Sequence, residues 1–488
     1  MRLTCEEVAR ATGGSFAVEP RAGRVVSGIS WDSRAIKPGD AYLCIPGQRV
    51  DGHDFACAAL RAGAACVIAS HGLDPQTDAE ARACGAAVVR VQDATQAMTD
   101  LARAWRERLT GKVIGITGST GKTTTKNLVR DVLSHAGSVA ATIGNQNNEL
   151  GVPNTLLSAD ESTDFVVVEA GMRGLGQLAA LCEFVRPSWG IVTNVGESHI
   201  ELLGSRENIA RAKSELLAAL PTGGVAFVNA ACDLEPELLA FSGVADHGVS
   251  VVLFSSEGQP AQSGPAVWAE RVSLDDEGRP SFMLCARGFG AQGGLSAGAP
   301  AQSVPCSLAL RGVHNVSNAC SAAAVGLAAG LSLDACARAL AASQPETGRQ
   351  EVVRASCGAV VVNDAYNANP DSMRASLSTF CALSVSGRRI AVLGDMGELG
   401  DFAPACHRRV GAYAGGLPLD ALVCVGPLSR NIALAAQEAG MSASGIVCVD
   451  TWEEALAAVR PGLTARDAVL VKASHYMGLE RVVEGLVA

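Results

Sequence analysis

The segment VIGITGSTGKTTT, Val113 to Thr125, constrains this chain more than any other. An apolar run reads as a buried strand, a glycine-bearing turn follows it, and threonines then open a helix. Glycines let backbone N–H groups converge on phosphate oxygens, Lys122 brings a compact positive charge, and the Thr123 hydroxyl can ligate Mg²⁺. The strict form of this loop places Gly six residues before Lys. Ile116 stands there, so the match is to the shorter TGxxGKT form. The chain carries no guanine-reading NKxD motif, which favours ATP over GTP. Gly118, Ser119, Thr120, Gly121, Lys122, Thr123 and Thr124 are the expected nucleotide contacts.

Such a loop belongs to a parallel sheet with crossover helices, and the flanking pattern agrees. Phe165–Val168 and Gly190–Thr193 read as short buried strands, each followed by a helical segment. Residues 255–305 are rich in Gly, Ser, Ala and Pro and predict strands with turns. Helices are expected over Asn315–Ala329 and Leu333–Ala342. SQPETG, at 343–348, reads as a linker. Beyond it Ala359–Val362, Arg389–Leu393, Ala421–Val425, Ile446–Val449 and Ala468–Val471 read as strands of a second α/β unit. Residues 1–108 mix short strands and helices and end in a polar helical stretch, Asp100–Leu109. A chain of 488 residues has room for about three domains. The expected division is 1–110, 111–343 and 344–488, all α/β.

Composition serves here to exclude. With 48% hydrophobic and 18% charged residues the chain is not disordered. No apolar run reaches the ~18 residues of a membrane-spanning helix. The start, MRLTCEEVARATGG, has no basic-then-apolar stretch and predicts no secretory signal. The 16 cysteines are scattered without a CxxC pair. They read as reduced, buried small residues of a cytoplasmic protein. A net charge of −10 speaks against general nucleic-acid binding.

In open parallel sheets, ligands bind beyond the carboxyl ends of the strands. Those positions hold Glu169, the loop Asn194–His199, Asp364, Asp395 and Lys472. Glu169 suits Mg²⁺, which prefers carboxylate oxygen; the alternative is a solvated loop glutamate. His199, in a glycine-containing loop, reads alone as either structural or functional. Lys213 is one of only six lysines. It lies on the apolar stripe of a helix expected over Glu207–Leu220, four residues after Ile209 and three before Leu216. Such a lysine either snorkels to water or loses its proton. A neutral lysine can take up CO₂ as an anionic carbamate.

Together Thr117–Thr123, Glu169, Asn194-Val-Gly-x-x-His199 and Ala-Lys-Ser-Glu215 resemble the Mur ligases, ATP-dependent enzymes of peptidoglycan precursor synthesis. RGVHNVSN, Arg311–Asn318, is similar to the family's HNxxN element, and Gly348-Arg-Gln-Glu351 to its interdomain GR element. Within the family the resemblance is to members that join D-alanyl-D-alanine to UDP-N-acetylmuramoyl-tripeptide. WDSR (31–34), PGD (38–40), DGHDF (51–55), GNQNNELGVP (144–153), NDAYNANPDSM (363–373) and LGDMGELG (393–400) carry it.

The resemblance implies three domains: a uridine-nucleotide domain, a central phosphate-loop ATPase domain and a Rossmann-like C-terminal domain. It implies catalytic roles for Lys122, Glu169, His199 and Lys213, with Thr123, Glu169, His199 and carbamylated Lys213 about Mg²⁺. It adds nucleotide contacts from His314, Asn315, Asn318, Arg349 and Asp364. It implies substrate contacts from Ser33, Arg34, Asn145, Asn148, Tyr366, Asn367, Asn369 and Lys472. It implies a monomer acting on small molecules, with no nucleic acid and no membrane insertion. After Lys472 the family reads Gly-Ser-Arg, whereas this chain reads Ala473-Ser474-His475, which exchanges a fixed cation for an imidazole. Arg173-Gly-Leu-Gly176 replaces a Pro-containing stretch. The DNPR-type motif of the neighbouring diaminopimelate- or lysine-adding ligases is absent. A non-catalytic ATP-binding module would leave Glu169, His199 and Lys213 without a task.

Overall fold

Val113, Ile114 and Ile116 are wholly buried because their strand, Lys112–Thr117, lies inside a nine-stranded sheet. The computed structural model describes residues 1–47, 50–346 and 348–488; Thr347 of the expected linker lies outside them. In the nine-stranded sheet Lys112–Thr117 is flanked by Phe165–Glu169 and Trp189–Val192, both parallel to it. Val225–Asn229, Ser250–Ser255 and Ala266–Leu274 continue the parallel order outward. The region read as strands and turns then closes the sheet as an antiparallel meander, Ala266–Leu274, Pro280–Arg287 and Gln302–Ser307.

Two larger sheets stand on either side in sequence, and Leu3–Thr4 pairs with Val25–Val26 in a small two-stranded one. The first has five strands, with Gly28–Ser30, Asp40–Leu43, Cys66–Ala69 and Ala87–Arg90 parallel and Ser15–Val18 antiparallel at the edge. The last has six, five of them parallel, in the order Glu351–Arg354, Val360–Asn363, Ala468–Lys472, Arg389–Gly394, Ala421–Val425 and Ile446–Val449. The fold is therefore α/β with several parallel-type sheets, as the alternation of strand and helix predicts.

The helix expected over Asp100–Leu109 runs instead over Ala94–Arg106. Asp93 starts it by accepting from the Gln96 N–H at 2.9 Å. Ala97, Met98, Leu101, Ala102 and Trp105 bury one face. The polar residues that suggested the helix mark only its outer face. In the first domain, the Asp51 carboxylate sits 2.6 Å from His53 Nδ1 and 3.0 Å from His71 Nε2. His53 Nε2 accepts from the Ser70 N–H, so the DGHDF segment is tied into a local network. The two imidazoles stack at 3.6 Å and 19°.

Candidate active site

The phosphate loop leaves its strand at Thr117 and enters the helix Lys122–Leu133 through Gly121, whose φ of +77° suits glycine. Gly118 has φ +153°, and a Cβ there would meet Thr193 Oγ1 at 1.8 Å. The neighbouring strand end holds the loop. Asn194 Oδ1 accepts from the N–H groups of Ser119 (3.1 Å) and Thr120 (2.9 Å), and Thr193 Oγ1 donates to Thr120 O (2.6 Å). The first helical backbone bond runs from Thr125 N–H to Gly121 O, so the Lys122, Thr123 and Thr124 amides are open to an anion. Lys122 Nζ donates to Gly118 O at 2.8 Å. Burial pulls its pKa down while the Glu169 charge pushes it back up.

Glu169 ends its strand in register with Ile116 and is buried. Its Oε1 accepts from Asn147 Nδ2 (2.8 Å) and Thr123 Oγ1 (3.2 Å). Its Oε2 is buried without a hydrogen-bond partner. A buried carboxylate oxygen beside a threonine hydroxyl at the phosphate loop is a donor set that fits Mg²⁺. His199 caps the short helix Ile200–Leu203 with φ +65°, and its Nδ1 lies 2.7 Å from Glu398 Oε2. Lys213, on the helix Arg206–Ala218, is buried. Burial and then the like charge of Lys122 drive its pKa well below the ordinary lysine value. Its near neighbour Glu215 accepts from the Gly176 and Ala179 N–H groups at the start of the helix Gln177–Val185.

Two clefts meet at this loop. One, of about 530 Å³, is lined by Ser119–Thr124, Glu169 and Asn145, by His314, Asn315 and Asn318 from the helix His314–Ala328, and by Arg349, Asp364, Tyr366, Asn367, Asn369 and Lys472. The other, of about 1040 Å³, is lined by Asn148, His199, Arg173, Glu398 and His475, with Gln96 and Arg103 from the first domain. Ser119, Lys122, Asn145, Asn147, Tyr366, Asn367 and Asn369 belong to both walls. Ser33 and Arg34 line neither cleft. Arg34 is exposed and folds onto Asp32 at 2.8 Å.

Several expected contacts are already engaged within the protein. Lys472 Nζ donates to Asp364 Oδ2 (2.7 Å) and Asn367 O (2.9 Å). Asn369 caps the helix Pro370–Ala382 and donates across to Ser198 Oγ at 2.8 Å. Asn318 Oδ1 accepts from Thr125 Oγ1 at 3.1 Å, and Asn318 Nδ2 donates to Asn315 Oδ1 at 2.9 Å. Burial lowers the His314 pKa to about 4 against the pull of Asp364, so His314 is neutral at pH 7. The Arg349 guanidinium lies 4.6 Å from the Tyr366 ring centre, and the His475 ring stacks on Tyr366 at 5.6 Å.

Sequence reading gave Lys126 and Glu398 no task. Lys126 is buried and donates to Thr142 O (2.8 Å) and Gly144 O (2.6 Å). It thereby anchors the loop that carries Asn147 to Glu169. Its position one helical turn after Lys122 was the available signal. Lys126→Met is expected to cost about 2 kcal/mol, through two carbonyls left without their charged donor. Urea unfolding of the variant checks this.

Three family descriptions match the chain: "Mur ligase family, catalytic domain" over 25–106, "Mur ligase middle domain" over 116–326, and "Mur ligase, glutamate ligase domain" over 348–475. The chain belongs to the Mur ligase family. Among its relatives is the UDP-N-acetylmuramoyl-tripeptide--D-alanyl-D-alanine ligase of Mycobacterium leprae, 38% identical over 99% of this chain and 98% of that protein. The enzyme of the same name from Escherichia coli is 32% identical over 94% of this chain and 93% of that protein. A crystal structure of MurF from Acinetobacter baumannii superposes with a TM-score of 0.81 at 28% identity, covering 100% and 99% of the two chains. MurF from Thermotoga maritima in complex with ADP gives 0.74 at 25% identity, covering 94% and 97%.

Proposed function

We propose that this enzyme joins D-alanyl-D-alanine to UDP-N-acetylmuramoyl-tripeptide at the expense of ATP, in the cytoplasm, as a monomer. The observation that carries the reading is the shared wall between the two clefts at Ser119 and Lys122. A phosphoryl donor in the smaller cleft and a peptide in the larger one would meet there. Domain bounds at 1–110, 111–343 and 344–488 are part of the proposal, supported by each sheet falling within one span.

The reaction needs two like-charged partners brought together. A carboxylate oxygen of the tripeptide attacks the γ-phosphorus, the bond to the bridging oxygen of ADP breaks, and an acyl phosphate forms. The amine of D-alanyl-D-alanine then attacks the acyl carbon, and phosphate leaves. The open amides at the start of the helix Lys122–Leu133 cradle the phosphates, and Lys122 moves from Gly118 O to the transferring group. His314, Asn315, Asn318 and Arg349 border the nucleotide, while Asp364, fixed by Lys472, faces its ribose. Asn145, Asn148, Tyr366, Asn367 and Asn369 border the peptide, whose uridine end runs toward the domain of Ser33 and Arg34. Mg²⁺, held by Thr123, Glu169, His199 and carbamylated Lys213, would neutralise the phosphate charge. Closure of the three domains excludes water that would hydrolyse the acyl phosphate.

Phosphate release from ATP tests the reading. Release is expected only when both UDP-muramoyl-tripeptide and D-alanyl-D-alanine are present. Release independent of either would make the protein a simple ATPase.

A further inference from the structure

Glu398 belongs to the loop after the strand Arg389–Gly394 of the last domain, yet its carboxylate reaches the loop after Trp189–Val192 of the central one. Its Oε2 lies 2.7 Å from His199 Nδ1, and its Oε1 lies 3.2 Å from an Arg173 guanidinium nitrogen. Both partners of the His199–Glu398 contact sit in left-handed backbone, at φ +65° and +59°. Non-glycine residues hold that conformation only where the surroundings over-determine it. Those surroundings are present. The Met396 N–H donates to His407 Nε2 (2.9 Å) and the Gly397 N–H to Ser474 Oγ (2.9 Å). Gly400 packs so closely that a Cβ would lie 2.7 Å from Glu201 Cγ. Arg409 pairs with Glu197 in the same seam.

An imidazole that ligates a metal through one nitrogen is usually oriented by a carboxylate at the other. His199 Nδ1 is buried and makes no geometric hydrogen bond, so Glu398 acts on it through the 2.7 Å contact. We propose that Glu398 is a positioning residue. It holds His199 through Nδ1, leaving Nε2 as the nitrogen available to an ion, and it completes the cation site only when the last domain is docked. This rests on the reading of His199 as a ligand.

The test is Mn²⁺ binding, followed by electron paramagnetic resonance with ADP present, in the full chain. Glu398→Ala is expected to weaken Mn²⁺ binding by about 10- to 100-fold, and Glu398→Gln, which keeps an acceptor without the charge, by less. In steady state kcat should fall while the KM for ATP stays within about threefold, because the phosphate loop is untouched. Unchanged melting temperatures would separate positioning from misfolding; if the alanine variant does not fold, the glutamine variant decides. Mn²⁺ affinity within twofold of wild type in the folded variants would overturn the proposal. His199→Ala separates the two layers. If it loses Mn²⁺ and Glu398→Ala does not, only the role of Glu398 fails. If His199→Ala binds Mn²⁺ like wild type, the reading of His199 fails and the role of Glu398 with it.

Discussion

Lys213→Ala is expected to lower ligation by about 10²–10³-fold, the scale of losing one charge-stabilising group at a reacting centre. Three observations set that expectation. Lys213 lies on the buried face of its helix. Burial and the Lys122 charge both favour its neutral form. A neutral Nζ can add to CO₂ and release a proton to solvent, leaving an N-carboxylate in place of the amine. The net change is from a neutral amine to an anion whose charge is felt at Lys122, which suits a site that must hold a divalent ion. A short carboxylate such as acetate should partly restore the alanine variant, and removal of CO₂ should slow the wild type. Lys213→Met keeps the length and apolar stem and should fold normally, since an apolar side chain replaces a buried amine. Normal turnover by the alanine variant would remove the carbamate from the mechanism.

The phosphate loop was legible because its chemistry is local. Thirteen consecutive residues specify strand, turn and helix, and the strand seen, Lys112–Thr117, exceeds the apolar run Val113–Ile116 by one residue at each end. Lys213 was legible because burial follows helical periodicity, and Glu169, Asp364 and Lys472 because strand ends in a parallel sheet face the ligand side. What periodicity cannot give is partnership across the chain. Lys472 meets Asp364 over 108 residues, and Glu398 meets His199 only because two domains dock. Neither pairing leaves a spacing pattern. Lys126 was missed for a different reason. It lies four residues beyond the loop lysine, and its acceptors, Thr142 O and Gly144 O, are backbone atoms that no residue type announces. Trp105 marks a third limit. Its helix looked polar because the buried stripe alternates with charged residues, and only the structure places the indole N–H against Ala159 O at 3.0 Å.

Glu169→Gln is expected to separate stability from activity. Both Oε1 contacts, from Asn147 and Thr123, survive if the amide oxygen takes that position and the NH₂ takes that of Oε2. Oε2 now has no hydrogen-bond partner, so the native carboxylate is a buried charge whose compensation is incomplete. Neutralising a buried charge that has no ion-pair partner relieves its desolvation cost. Part of that gain is offset, because Lys122 and Lys126 both draw support for their charged forms from Glu169. Stability to urea should therefore stay within about 1 kcal/mol of wild type or rise. Ligation should fall by about 10²–10³-fold, with Mg²⁺ affinity falling alongside it, because an amide is a far poorer ligand for a hard cation than a carboxylate. A variant that keeps its activity would take Glu169 out of the cation site. One that loses more than about 3 kcal/mol would mean that the carboxylate holds the fold together through contacts stronger than the Asn147 and Thr123 hydrogen bonds. The two measurements together decide whether the unpartnered oxygen is a cost the fold tolerates for the sake of the cation.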